Sequence, residues 1–172
     1  MINIKAIRVM IVFLAALTIP SVSLADKKED AKRLPPITND LYRKECGACH
    51  FLYQPGLLPE RSWIKIMDTL DKHFGEDASL DTAAKEEIKK YLAQNSAEKS
   101  AAKRSKKILS SIKSSSTPVR ISETPYIQSK HRKIYKEVYK RESIKSIANC
   151  IACHKTADEG LYEDDNIEIP KK

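Results

Sequence analysis

The chain has 172 residues, with 31 Lys+Arg against 23 Asp+Glu and 41% apolar residues. One Trp and three Phe leave a thin apolar core, so a small fold held by a covalent or metal staple is expected rather than a large enzyme domain. A formal charge of +8 would suit nucleic acid, but the N-terminus directs the chain out of the cytoplasm and excludes that partner.

Lys5 and Arg8 precede an apolar run from Val9 to Ile19, and Ser23-Leu24-Ala25 offers small residues where a signal peptidase reads. The run is too short to span a bilayer comfortably. Residues 1–25 are therefore expected to be a signal peptide cleaved near Ala25. The mature periplasmic protein would start near Asp26. No cysteine follows the cleavage position, so no lipid anchor is indicated.

A charged start, Asp26 to Arg33, ends at Pro35-Pro36. Thr38 or Asn39 then caps a helix expected to run through Leu41, Cys46 and Cys49. It carries Cys46-Gly47-Ala48-Cys49-His50. Gln54-Pro55-Gly56 breaks the chain, and Pro59 fits the first position of a second helix. Trp63, Met67, Leu70 and Phe74 recur at helical spacing as its buried stripe, and Gly75 stops it. Asp81 caps a third helix with Ala84, Ile88 and Leu92 on the inner face.

Ser96 to Thr117 is rich in Ser, Ala and Lys. It reads as a solvated basic connector, partly helical, with Ala101, Ser105, Ile108 and Ile112 able to line one face. Thr124-Pro125 restarts helix, with Ile127, His131, Ile134 and Val138 as an apolar stripe. Ser143 is expected to cap a last helix bearing Cys150-Ile151-Ala152-Cys153-His154, closed by Gly160 and followed by acidic residues. No strand pattern is present, so the fold is expected to be all-α. The segments are 26–95, a basic linker 96–120, and 121–172.

Cys-x-x-Cys-His is the attachment pattern of c-type haem. Two thiols three apart on one helical face can grip a porphyrin edge as thioethers, and the adjacent His reaches the iron. Zinc ribbons place their Cys pairs a short loop apart, and thioredoxin-like pairs sit in a βαβ unit. Neither context is present. Two covalent haem c groups on Cys46, Cys49, Cys150 and Cys153 use every cysteine of the chain.

The chain holds four His in all: His50, His73, His131 and His154. His50 and His154 are the proximal ligands of the motifs. Two distal positions remain for His73 and His131, so both irons are expected to be bis-His and low-potential. Each half supplies one pair, His50 with His73 and His131 with His154, although a crossed pairing stays open. Met67 falls in a core stripe, and a Met ligand would raise the potential. Tyr53, three residues after His50, sits where an aromatic ring could lie between two haem edges.

Several segments resemble the bacterial dihaem cytochrome c proteins usually called DHC. They are Glu45 to Phe51, Pro55-Gly56-Leu57-Leu58-Pro59, His73 to Leu80, Arg120 to Pro125, and Ala148 to His154. The resemblance implies two small helical domains with one haem each, the first like a class I cytochrome c. It also implies bis-His ligation and an electron carrier between a membrane cytochrome b and a small monohaem acceptor.

Six-coordinate iron suits a carrier. A dihaem peroxidase needs an open iron position, and a redox or gas sensor needs ligand exchange at His73 or His131. Lys99, Lys103, Arg104, Lys106, Lys107 and Lys113 form a basic stretch, joined by Lys130, Arg132, Lys133, Lys136, Lys140, Arg141 and Lys145. Such a face would steer a monomeric carrier to an acidic partner or to anionic lipid.

Overall fold

The computed structural model describes residues 31–171. The expected signal peptide 1–25 and the expected start at Asp26 lie outside the described residues. Among these the architecture is all-α. Five α-helices and several 3-10 turns are present, with no strand beyond isolated bridges between His73 and Glu76 and between His154 and Ile167.

Helix α1 is Asp40–Cys46, and its Asn39 cap accepts the Tyr42 N–H at 2.6 Å. It ends at Cys46, short of the expected Cys49. The Gly47 N–H bonds the Arg43 carbonyl at 3.1 Å, and a Cβ on Gly47 would meet that oxygen at 2.4 Å. Only glycine fits so close a turn.

Helix α2 is Glu60–Asp68, with Pro59 as its cap rather than its first residue. Trp63, Met67 and Leu70 are buried, and Trp63 Nε1 donates to the Pro55 carbonyl at 2.7 Å. Phe74, expected at the end of this stripe, is 46% exposed. The helix stops at Asp68, a 3-10 turn covers Leu70–Lys72, and Phe74 and Gly75 both take positive φ (57° and 107°). Helix α3, Thr82–Gln94, is capped by Asp81 and packs Ala84, Ile88 and Leu92 inward against α2.

The basic segment departs from a solvated connector. Lys103–Ser111 is helix α4, and its Ser105 and Ile108 are fully buried with Ile112 just beyond. Ala102 is buried, not Ala101. Burying such an Ile side chain contributes about 1.5–3 kcal/mol, which holds the helix in the core despite its charge.

Helix α5 is Pro125–His131, capped by Thr124. The expected helix from Ser143 does not form. Lys145 lies at φ 65°, and tight turns run from Arg141 through Ser146. Asn149 Nδ2 donates to the Ile144 carbonyl at 3.0 Å, and Cys150–Ala152 is a single 3-10 turn. Residues three apart eclipse in a 3-10 turn, so Cys150 and Cys153 still share a side.

Two cores result. The first gathers Tyr42, Leu58, Trp63, Met67, Leu70, Ile88 and Leu92, with Cys46 at its edge. The second gathers Leu34, Leu57, Ala102, Ile108, Ile112, Ala157 and Tyr162, with Cys150 at its edge. Leu34 and Leu57 come from the N-terminal part of the chain, so 31–95 and 121–171 interlace. The Leu34 N–H bonds the Gly160 carbonyl at 3.0 Å, and a Cβ on Gly160, at φ 79°, would meet the Leu34 oxygen at 2.6 Å. Tyr53 and Ile121 border both cores.

Candidate haem centres

The structure brings the four histidines together in two pairs. His50 follows the α1 turn and His73 follows the 3-10 turn after α2. Their ring centroids are 6.2 Å apart and their planes 24° apart. His50 Nδ1 lies 2.8 Å from the Phe51 carbonyl. A carbonyl only accepts, so that nitrogen carries the proton and Nε2 keeps a free lone pair. Burial, then the neighbouring His50 and Arg120, lower the pKa of His73 and favour its neutral form. The Arg120 guanidinium stands 3.8 Å from the Phe74 ring centre, and Phe74 packs on His73.

The second pair is His131, at the end of α5, and His154, after the second motif. Centroids are 6.0 Å apart and planes 70° apart. His131 Nδ1 meets the Ile127 carbonyl at 2.8 Å, which again leaves Nε2 free. Burial is the main cause that drives the pKa of His154 down to about 4, with His131 and Arg104 adding to it and Asp164 opposing. His73 and His154 are thus held in the neutral state that binds a metal.

A metal sits about 2.0 Å from an imidazole nitrogen, and that nitrogen about 1.1 Å from its ring centre. Two imidazoles on opposite sides of one metal therefore have centres about 6.2 Å apart. Both pairs fit that spacing. His154 Nδ1, Arg104 Nε and Tyr139 Oη are buried polar atoms without a protein partner. All three border the second motif, because Arg104 acts on His154 and Tyr139 feels Cys153. Buried polar atoms left unpaired side by side mark a site that a further group completes. The residues present fit two haem groups.

Burial pushes the Cys46 and Cys150 thiols up to about 11. Cys49 is exposed and Cys153 half-buried. Among the described residues no group of three or more His, Cys, Asp or Glu gathers for a metal ion, so the Cys pairs do not converge on a zinc site. Met67 is 1% exposed in the first core, beside Trp63 and Leu70.

Three further residues border these centres. The Tyr53 ring lies 5.5 Å from His50, and Tyr162 lies 5.5 Å from His154. Gln54, 1% exposed, links to Tyr162 through a 2.6 Å hydrogen bond. Gln54 and Tyr162 carry no local signal, because they meet across 108 residues.

A family model for dihaem cytochrome c matches residues 42–162. The structure is similar to the diheme cytochrome c from Rhodobacter sphaeroides, with 43% identity, 74% of this chain and 98% of that chain covered, and a TM-score of 0.65. A crystal structure of DHC purified from the same organism gives 41% identity, 74% and 100% coverage, and a TM-score of 0.59. A diheme cytochrome type c from Shewanella baltica gives 30% identity, 77% and 94% coverage, and a TM-score of 0.63. The chain belongs to the dihaem cytochrome c family. No curated protein matches it. Membership in the dihaem cytochrome c family brings two covalently bound c-type haems and places the chain in electron transfer. Among the described residues no helix is long and apolar enough to cross a membrane.

Proposed function

We propose that this dihaem cytochrome c is a periplasmic electron carrier with two bis-His irons, not an enzyme. Cys46 and Cys49 would hold one haem and Cys150 and Cys153 the other. His50 with His73, and His131 with His154, would be the axial ligands. When bound, haem iron supplies a one-electron couple, and two imidazoles keep its potential low. The pairing of all four imidazoles at 6.0–6.2 Å carries this reading.

The chain's own residues do the rest. The Phe51 and Ile127 carbonyls fix the tautomers of His50 and His131. The buried sides of Cys46 and Cys150 anchor each group at the edge of a core. A ligand set filled on both sides leaves no position for substrate.

The test is ligand removal. His73→Ala or His131→Ala should each turn one haem high-spin and let the reduced protein bind carbon monoxide. Low-spin spectra in both variants would refute the assignment. Low-temperature EPR of the unaltered protein should show two low-spin signals. The more anisotropic would come from the second centre, whose imidazole planes stand 70° apart against 24° in the first.

Docking follows from charge. Lys103, Lys106 and Lys107 on α4, and Lys130, Arg132, Lys133, Lys136 and Lys140 around His131, are exposed. Arg104 is not part of this face, because it turns inward to Glu163 at 3.2 Å. The partner surfaces, on a membrane cytochrome b donor and a small monohaem acceptor, would be acidic, with peripheral contact to anionic lipid. Rates should fall steeply with salt, since screening acts over about 8 Å at physiological ionic strength. A rate indifferent to salt would remove these lysines from the encounter.

A further inference from the structure

Two tyrosines are exchanged between the haem centres. The Tyr53 ring packs on His50 of the first centre at 5.5 Å, and its hydroxyl donates at 2.6 Å to the carbonyl of Ala148, two residues before Cys150 of the second. The Tyr162 ring packs on His154 of the second centre at 5.5 Å, and its hydroxyl donates at 2.6 Å to Gln54 Oε1, beside Tyr53. Gln54 Nε2 donates at 2.7 Å to the Ala157 carbonyl, three residues after His154. The Tyr53 carbonyl in turn accepts the Tyr42 hydroxyl at 2.8 Å. Every bond in this set except the last joins segments 95 or more residues apart.

We infer that Tyr53 and Tyr162, tied through Gln54, are positioning residues that lock the two haem centres into one rigid, electronically coupled unit. This rests on the electron-transfer reading above and deepens it. Each ring sets the tilt of its own proximal imidazole, and each hydroxyl fixes where the other centre lies. Tyr53 also gives a short route from the His50 ring to Cys150: a ring contact, one hydrogen bond to the Ala148 carbonyl, and the backbone through Asn149. The phenols are not oxidised. One electron leaves one iron as the other iron gains it, and both hydroxyl protons stay in place.

The alternative is that these rings only fill space. Replacing both with Phe separates the two, because Phe keeps the ring and loses the hydroxyl. The experiment uses the full mature protein with both haems. Optical and EPR spectra are recorded first, and low-spin signals in the unaltered protein establish the ligand assignment independently of either tyrosine. Calorimetry and flash reduction then compare the unaltered protein with Tyr53→Phe/Tyr162→Phe. The unaltered protein should unfold in one transition. The double variant should keep its low-spin spectra, unfold in two transitions, and equilibrate the electron between haems at least about tenfold more slowly. A single transition, or a rate within about twofold of the unaltered protein, overturns the proposal. If the double variant does not accumulate with two haems, the single variants decide. Each should slow equilibration about threefold or more, and unchanged rates in both overturn the proposal.

Discussion

The two haem centres are built from different materials. The first stands on polypeptide packing: α1, α2 and α3 bury Tyr42, Trp63, Met67, Ile88 and Leu92 among themselves. The second stands on turns. From Arg132 to Tyr162 the described backbone holds only 3-10 segments, and its core borrows Leu34, Leu57, Ile108 and Ile112 from elsewhere in the chain. Its candidate ligand His154 is also pressed hardest toward neutrality. A region with few helical hydrogen bonds and few apolar contacts of its own depends more on its cofactor for order.

The largest expected effect follows from that dependence. Cys150→Ser/Cys153→Ser removes covalent attachment at the second centre only. Residues 126–149 should then become protease-sensitive by about a hundredfold, the factor that about 2.7 kcal/mol of lost local stability gives. Cys46→Ser/Cys49→Ser should leave α2 and α3 protected. Limited proteolysis with mass mapping reads both. Equal protection of the two halves in both variants would erase the contrast drawn here.

The borrowed core gives the next effect. Ile108 is fully buried on α4, in the segment that composition marks as a connector. Ile108→Ala should cost about 2–5 kcal/mol, the range for a fully buried aliphatic residue cut to Ala. Denaturant unfolding of the holoprotein checks it. A loss below about 0.5 kcal/mol, typical of exposed positions, would return 103–111 to the role of a solvated linker.

The same contrast explains what could be read in advance. Asp81, Ala84, Ile88 and Leu92 state a capped amphipathic helix locally, and the structure has it. The motifs were legible because their chemistry is local, and the two imidazole pairs because each half of the chain supplies two His, which the structure sets side by side. Other features depend on distant partners. Lys103–Ser111 looked solvated because its charges outnumber Ile108, whose neighbours come from both ends of the chain. The segment from Ser143 has helix-compatible residues, but Asn149 and Lys145 commit it to turns. Gln54 and Tyr162 have no local pattern at all, since one hydrogen bond across 108 residues defines them.

The smallest expected effect concerns how the acidic end is tied down. Glu163 lies 2.8 Å from Lys32 Nζ and 3.2 Å from Arg104 Nη2. The Lys32 hydrogen bond, with further help from Arg104, holds its carboxyl below the ordinary glutamate value, against a smaller opposing effect of burial. A carboxyl lowered on folding binds its proton less readily in the native state. It adds stability above the unfolded value of about 4.3, and that addition is lost as pH falls through the lower native value. Glu163→Gln should therefore cost up to about 1 kcal/mol at pH 7, the range for a largely solvated pair. The gap between the two proteins should close as pH drops from about 5 toward 3, and added salt at pH 7 should narrow it as well. Thermal unfolding at several pH values measures this. A gap that stays constant down to pH 3 would mean that the Glu163 side chain acts by packing, with no part played by its charge.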